Sequence, residues 1–112
     1  MPKSDTTLPR ASFLVLLALS DRPRHGLAIV EHVEDSTKGR VKMGPGTLYG
    51  TLQKLEQDGL IKETAEAPDP ADHDTRRRYY RLTPRGERAL RAEASHLRVL
   101  ADAVADRLGG GR

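Results

Sequence analysis

The pattern of apolar and polar positions divides this chain into three helical segments, two strand-like segments and a final long helix. Residues 8–19, LPRASFLVLLAL, are apolar nearly all round, which is typical of a central helix that is contacted on several sides. Residues 25–38 carry an apolar stripe at helical spacing opposite an acidic face, and this pattern predicts a second helix. Residues 20–24, SDRPR, contain a proline and predict the turn between the two.

Residues 44–62, GPGTLYGTLQKLEQDGLIK, predict a third helix from about residue 45 to residue 58, followed by a strand. Pro45 stands at a suitable first-turn position, and Gly59 stands where a helix would stop. One face of this helix repeats leucine at helical spacing, so it must be buried. The leucines are Leu48, Leu52 and Leu55.

The opposite face of the third helix is small or uncharged apart from one lysine, and it has no carboxylate. Such a face suits a helix pressed against a polyanion, because small residues allow close approach and free N–H groups meet phosphate. It also fits an ordinary amphipathic helix whose polar face lacks acids by chance, and the helix alone leaves both interpretations open. The face comprises Gly46, Thr47, Gly50, Gln53, Lys54 and Gln57.

Two strand-like segments follow. Residues 60–64 fit a short strand, and residues 76–82, RRRYYRL, fit a strand that returns beside it. The proline- and aspartate-rich residues 65–75 between them predict a loop. Alternation places Tyr80 on one face of the returning strand, where we expect it in the core, and Tyr79 on the other face.

Thr83 and Pro84 supply an N-cap and a first-turn residue for a last helix that continues to about Leu108. Apolar residues recur along this helix at alternating spacings of four and three, which defines a heptad seam. About 25 residues of helix span roughly 37 Å, which is longer than so small a domain can cover. We therefore favour dimerisation over packing within one chain. The seam comprises Leu90, Ala94, Leu97, Ala101, Val104 and Leu108.

Basic residues are concentrated in one part of the chain. Lys and Arg number 19 against 16 for Asp and Glu, and this small excess permits nucleic-acid binding without requiring it. Arginines cluster within residues 76–91, whereas residues 63–74 are mostly acidic. We expect the first arginines to contact phosphate or the minor groove and the later ones to form a solvated face. The first arginines are Arg76, Arg77 and Arg78.

The residue pattern argues against catalysis and against a bound metal. No nucleophile, base and orienting group stand together, and no glycine-rich phosphate loop follows a strand, so we expect no enzyme activity. The chain has no cysteine, which excludes disulfides and fits a reducing cytoplasm. His25 and His32 lie roughly 10 Å apart along a helix, too far for one metal ion. We expect no metal and no cofactor.

The apolar run at residues 13–19 is far too short to span a membrane, and we expect no membrane association. It resembles the core of a short signal peptide, with Ala18 and Ser20 around a cleavage site. Its removal would take away apolar residues that the rest of the domain needs, so we interpret it as part of a core helix.

Three segments together resemble the PadR-like transcriptional regulators, in particular their short form with a single C-terminal helix. They are the His25-Gly26 pair, residues 46–61 (GTLYGTLQKLEQDGLI) and residues 76–90 (RRRYYRLTPRGERAL). The resemblance implies a mainly α fold with a small β-hairpin wing (α+β), namely a winged helix-turn-helix followed by a long helix. It also implies a homodimeric repressor that binds double-stranded DNA. Two recognition helices in successive major grooves, roughly 34 Å apart, would match a palindromic operator.

By this resemblance, Thr47 and Tyr49 correspond to recognition-helix residues that meet DNA, and Arg76 and Arg77 correspond to the basic wing. Tyr49 is expected either to pack partly or to donate its hydroxyl to a phosphate. The chain departs from the family at Gly50, where a larger side chain is common, so sequence readout is expected to rest on other residues. Those residues are Thr47, Thr51, Gln53 and Lys54.

The elements predict a disordered tail (1–7), a winged helix-turn-helix DNA-binding domain (8–83), a dimerisation helix (84–108) and a flexible tail (109–112). The same layout allows a winged-helix protein-interaction module that does not bind DNA. It also allows a repressor gated by a small-molecule effector, whose identity the residues do not indicate. Aromatic residues are few, but an apolar gap between the first and last helices would be a site for such an effector.

Overall fold

The computed structural model describes residues 8–65 and 77–109. These residues form four helices and one small sheet, which confirms the predicted α+β class. In chain order the elements are α1 (Arg10–Ala18), β1 (Arg24–His25), α2 (Gly26–Ser36), α3 (Pro45–Gln57), β2 (Ile61–Thr64), β3 (Tyr79–Leu82) and α4 (Pro84–Leu108). The predicted tail at residues 1–7, most of the predicted wing loop, Arg76 and residues 110–112 lie outside the described residues.

The wing hairpin pairs β2 with β3 in an antiparallel ladder, from Ile61 opposite Leu82 to Thr64 opposite Tyr79. The returning strand begins at Tyr79, later than predicted, so the arginines precede the ladder. Tyr80 belongs to the core, as predicted. Tyr79 is also buried, and its ring packs against that of His25.

A third strand, β1, pairs with the free edge of β3 and gives the sheet the order β1-β3-β2. We expected a turn followed directly by a helix that starts at His25, and this was wrong. Arg24 lies opposite Tyr80 and His25 opposite Tyr79, and α2 begins one residue later, at Gly26. A strand of two residues is too short to show alternation, so the sequence pattern carried no sign of it.

α1 is the central helix, as predicted, because it packs against α2, α3 and α4. Val15 and Leu16 are fully buried, which confirms the interpretation of their apolar run as part of a core helix. The apolar face predicted for α3 joins the same core. Its leucines Leu48, Leu52 and Leu55 are all buried.

Short contacts join the end of α3 to the start of α4. The Thr83 N–H donates to the Leu60 carbonyl at 3.1 Å. The Thr83 hydroxyl donates to the Gly59 carbonyl at 2.7 Å and accepts from the Gly86 N–H at 3.0 Å. A Cβ on Gly86 would overlap the Leu60 carbonyl oxygen, so only glycine fits there. We call these four residues the α3–α4 junction, and it joins the segment after α3 to the first turn of α4.

α4 packs on the domain only over its first half. Leu90 packs against the core and Glu93 is buried, whereas nearly every residue after Leu97 is exposed. The helix ends at Gly109, whose φ of 70° is readily adopted by glycine. In the part of the chain that the structure describes, no helix has both the length and the apolar character needed to cross a bilayer.

We predict that Gly86→Ala lowers the free energy of unfolding by about 1–3 kcal/mol, because the added Cβ must force the α3–α4 junction apart. Gly50→Ala is the matched control, since a Cβ at Gly50 meets nothing within 4 Å. Alanine in a helix interior is favoured over glycine by roughly 1 kcal/mol, so the control should be more stable than the wild type. Urea unfolding measures both changes, and wild-type stability in Gly86→Ala would contradict the tight junction.

Candidate nucleic-acid interface

The outer face of α3 presents the predicted DNA-facing side chains to solvent. Tyr49 is 59% exposed, which favours a role for its hydroxyl over a packing role. Lys54 is exposed and forms an ion pair with Asp58 at 3.5 Å, which is a weak interaction at a solvated surface. A carboxylate therefore lies beside the face that was predicted to be free of acidic residues. Of the other predicted residues, Gly46, Thr47 and Gln53 are exposed and Thr51 is half-buried.

The N-terminus of α3 offers backbone N–H groups to an anion. Its N-cap residue is Gly44, no side chain caps it, and its first turn contains no acidic residue. A Cβ on Gly46 would meet nothing within 4 Å, so a ligand can approach the backbone there. Because the N-terminal end of a helix carries a partial positive charge, this end of α3 is suited to phosphate.

Tyr49 lies against the beginning of α2. A Cβ on Gly26 would lie 3.3 Å from the Tyr49 hydroxyl oxygen and 3.1 Å from Leu48 Cδ2. A side chain at position 26 would therefore press on α3, and glycine allows the two helices to approach. Leu27, the next residue, is 58% exposed and adds apolar surface at this end of α2.

The base of the wing meets the same end of α2 through His25, which is 7% exposed. Nδ1 of His25 accepts a hydrogen bond from the Ala28 N–H at 3.3 Å and so caps α2. Nε2 of the same ring lies 2.8 Å from Nη1 of Arg77. The ring also meets the Tyr79 ring edge to face, with centroids 5.3 Å apart. Arg77 of the wing and Tyr49 of α3 therefore both border the beginning of α2.

Arg78 has different partners. Its Nε lies 3.4 Å from a carboxylate oxygen of Glu63 on the other strand of the hairpin. Burial raises the pKa of the Tyr80 hydroxyl above its ordinary value, a hydrogen bond with Arg78 opposes this, and the carboxylates of Glu56 and Glu63 add to the increase. The two wing arginines that the structure describes thus occupy separate environments: Arg77 contacts His25, the N-cap residue of α2, and Arg78 contacts Glu63.

The contacts by which His25 and Gly26 join the wing to α2 and α3 were not predicted from the sequence. The pair entered only as one of the motifs that carry the family resemblance. His25 and Arg77 are 52 residues apart, and the periodicity of single elements does not report such contacts. The residue types of the pair were the available signal. A histidine ring has two nitrogens that can form hydrogen bonds, and a glycine has no side chain to keep a neighbouring helix away.

The predicted seam of α4 divides into two parts. Leu90 packs against the core of its own chain, and Ala94 is half-buried. The rest of the seam is exposed, and Leu100, which the seam prediction omitted, widens the exposed apolar surface. We call this surface the α4 stripe. It comprises Leu97, Leu100, Ala101, Val104 and Leu108.

A groove of about 800 Å³ lies between α1, the segment after α2, and α4. Phe13, Val41 and Leu97 contribute apolar walls. Glu93 lines the groove, and its carboxylate accepts from the Leu8 N–H at 3.5 Å. The groove lies where an apolar gap between the first and last helices was predicted. Within residues 8–65 and 77–109, no three His, Asp or Glu side chains are placed to hold a metal ion.

Sequence comparison links the chain to known regulators. Residues 15–92 match the model of the Transcriptional regulator PadR-like family. The chain is 34% identical over 96 residues to the transcriptional regulator Rv3488 of Mycobacterium tuberculosis, which covers 86% of this chain and 80% of that protein. It is 39% identical over 101 residues to an uncharacterized 37.1 kDa protein in transposon TN4556 of Streptomyces fradiae. That match covers 86% of this chain but only 27% of the relative's length.

The fold also has counterparts among solved structures. A transcriptional regulator from Clostridium thermocellum is similar with a TM-score of 0.72 and 23% identity, over 86% of this chain and 87% of that chain. At this level of identity, the similarity supports the fold.

We predict that Arg78→Met raises the pKa of Tyr80 further, because it removes the hydrogen bond and the positive charge that lower it. Arg81→Met, on the exposed part of β3, is the control and should leave that pKa unchanged. Ultraviolet titration of tyrosinate, with Tyr80→Phe to assign the signal, measures the shift.

A raised pKa of Tyr80 in the folded state stabilises the fold below about pH 10, and this contribution is lost as the pH rises through the folded-state pKa. If Tyr80 has the same pKa in Arg78→Met and in the wild type, the hydrogen bond between Arg78 and Tyr80 is contradicted.

Proposed function

Because this chain belongs to the PadR-like family of transcriptional regulators, which are not enzymes, we propose that it is a cytoplasmic homodimeric repressor of transcription. In this proposal each subunit binds one half of a palindromic operator in double-stranded DNA. One observation supports it most strongly. Tyr49 of α3 and Arg77 of the wing both border the N-terminal end of α2, so a helix face and a basic wing share one surface.

α3 is the recognition helix in this proposal, and its N-terminal end enters the major groove. The exposed Gly46 and Gly50 allow the backbone to approach the DNA, and the uncapped first turn meets phosphate. Thr47 and Gln53 are exposed and carry groups that hydrogen-bond to base edges. Thr51, which is half-buried, and Lys54, which is paired with Asp58, contribute less to readout than these two.

The wing contributes mainly through Arg77. Its guanidinium lies beside the end of α2 that Tyr49 also borders, where a phosphate would receive donors from the wing and from α3. Arg78 remains paired with Glu63 and supports the hairpin, so its share of the binding is smaller. Arg76 lies outside the described residues and is proposed as a further phosphate contact from its position in the sequence.

The α4 stripe is the proposed dimer interface. A helix that leaves its own domain with such an apolar surface is suited to pairing with a second copy in a coiled-coil manner. Pairing would place two copies of α3 on one face of the DNA, roughly 34 Å apart. The groove beside α4 favours a regulated version of this function, in which a small molecule binds between α1 and α4.

We predict that Arg77→Ala weakens binding to DNA of any sequence and reduces the salt dependence of the affinity by roughly 0.9 for each phosphate that the variant no longer neutralises. Arg88→Ala is the control, because Arg88 is an exposed residue of α4 on the predicted solvated face. Fluorescence anisotropy with a labelled duplex, repeated over a range of salt concentrations, gives the affinity of each variant and its dependence on salt. A fully folded protein without salt-dependent binding would support the protein-interaction alternative instead.

We also predict that Val104→Asp converts the dimer to a monomer, because a carboxylate in the α4 stripe loses its hydration when two stripes meet. Val99→Asp is the matched control, since Val99 is the other exposed valine of α4 and lies off the stripe. Sedimentation of both variants at micromolar concentration distinguishes them. A wild type that sediments as a monomer, or a Val104→Asp variant that remains a dimer, would contradict this interface.

A further inference from the structure

A close approach between α2 and α3 takes place at a residue without a side chain. Gly26 is buried, and a Cβ built on it would lie 3.1 Å from Leu48 Cδ2 and 3.3 Å from the Tyr49 hydroxyl oxygen. The same Cβ would lie 3.7 Å from Cζ of the Tyr49 ring. The first two distances are shorter than ordinary van der Waals contacts. The tip of the Tyr49 ring therefore occupies space that any other side chain at position 26 would need.

The backbone conformation at position 26 does not itself require glycine. Gly26 is the first residue of α2, and its φ is not positive. Alanine is a better helix former than glycine, so glycine is not favoured here by helix propensity either. We therefore attribute the glycine to the space that it leaves for Leu48 and Tyr49.

The two side chains that meet Gly26 differ in their freedom to move. Leu48 is 3% exposed and packs in the core, whereas Tyr49 is 59% exposed. The start of α2 is held in place, because the His25 backbone pairs with Tyr79 in the sheet. The tip of the Tyr49 ring thus rests against a fixed piece of backbone, while more than half of the residue remains in solvent.

We propose that Gly26 is a positioning residue, whose bare backbone sets the place of the Tyr49 hydroxyl so that this hydroxyl donates to a DNA phosphate. The inference rests on the proposed function, because it assumes that Tyr49 contacts DNA. A tyrosine side chain has two torsions, and a wall on one side of the ring restricts both before DNA arrives. Ordering a side chain in the free protein reduces the entropy that is lost on binding.

In Gly26→Ala, the added methyl group must displace one of its two neighbours. Because Tyr49 faces solvent and Leu48 does not, we expect the Tyr49 ring to turn away from α2 and to take its hydroxyl away from the phosphate. Loss of a hydrogen bond from a neutral donor weakens binding by about two- to tenfold, and we expect this loss per subunit for Gly26→Ala and for Tyr49→Phe. A neutral hydroxyl neutralises no phosphate, so the salt dependence of the affinity should keep its wild-type value in both variants.

Fluorescence anisotropy with a labelled duplex of mixed sequence measures the affinities of the two single variants, of Arg77→Ala and of the double variant Gly26→Ala/Tyr49→Phe. Phenylalanine at position 49 has no hydroxyl to be displaced, so positioning predicts that the double variant binds like Tyr49→Phe alone. The proposal fails if Gly26→Ala binds like the wild type. It also fails if Gly26→Ala weakens binding by the same factor with tyrosine and with phenylalanine at position 49, because the glycine would then act through the spacing of the helices.

Failure of this inference is distinguishable from failure of the proposed function. If Arg77→Ala weakens binding and lowers its salt dependence while Gly26→Ala and Tyr49→Phe match the wild type, the inference fails and the proposed function stands. If the wild type itself shows no salt-dependent binding to the duplex, the proposed function fails and this inference fails with it.

Proton NMR of the free protein provides a readout that does not depend on DNA. We expect a nuclear Overhauser effect between the α-protons of Gly26 and the ring protons of Tyr49, and a wild type without it would overturn the proposal. If Gly26→Ala does not fold, the comparison is made in a Leu48→Val background, since valine lacks the Cδ2 atom nearest to the added methyl group. Gly26→Ala/Leu48→Val should bind the duplex more weakly than Leu48→Val alone, and equal affinities would contradict the positioning role.

Discussion

The contact between the Leu60 carbonyl and the first turn of α4 is the constraint on which the rest of the structure depends. It requires glycine at position 86. Thr83 donates two hydrogen bonds to the segment after α3, at Gly59 and Leu60, and its hydroxyl caps α4 by accepting from the Gly86 N–H. The segment that follows the helix proposed to read DNA is therefore tied to the first turn of the helix proposed to pair two subunits. A change in the pairing of α4 would be passed to the segment after α3 through the Leu60 carbonyl and the short Thr83 side chain.

A second close approach organises the other end of α3. Gly26 lets Leu48 and Tyr49 come near the beginning of α2, and His25 brings the wing to the same place. Three elements that are distant in sequence thus form one surface. The groove beside α4 is formed by other parts of the chain. It is lined by α1, α4 and the segment that leads from α2 to α3. An occupant of the groove would contact the segment that precedes the recognition helix.

Much of this fold could be predicted from the sequence, because its elements are long or strongly patterned. The buried leucines of α3 and the all-round apolar character of α1 follow from helical periodicity. β1 could not be predicted, because two residues show no period and their pairing depends on a strand more than 50 residues away. The separate environments of Arg77 and Arg78 could not be predicted either. Two adjacent arginines have the same chemistry, and their environments differ only because the fold brings His25 to one and Glu63 to the other.

Hydroxyl-radical footprinting of the protein on the DNA upstream of its own gene tests the central claim most directly. Two recognition helices held apart by α4 should protect two patches on one face of the duplex, centred about 10 base pairs or a multiple of this apart. The protected sequence should be palindromic about the midpoint. Uniform weak protection along the fragment, or a single patch without a symmetric partner, would contradict a dimer that reads DNA with two copies of α3.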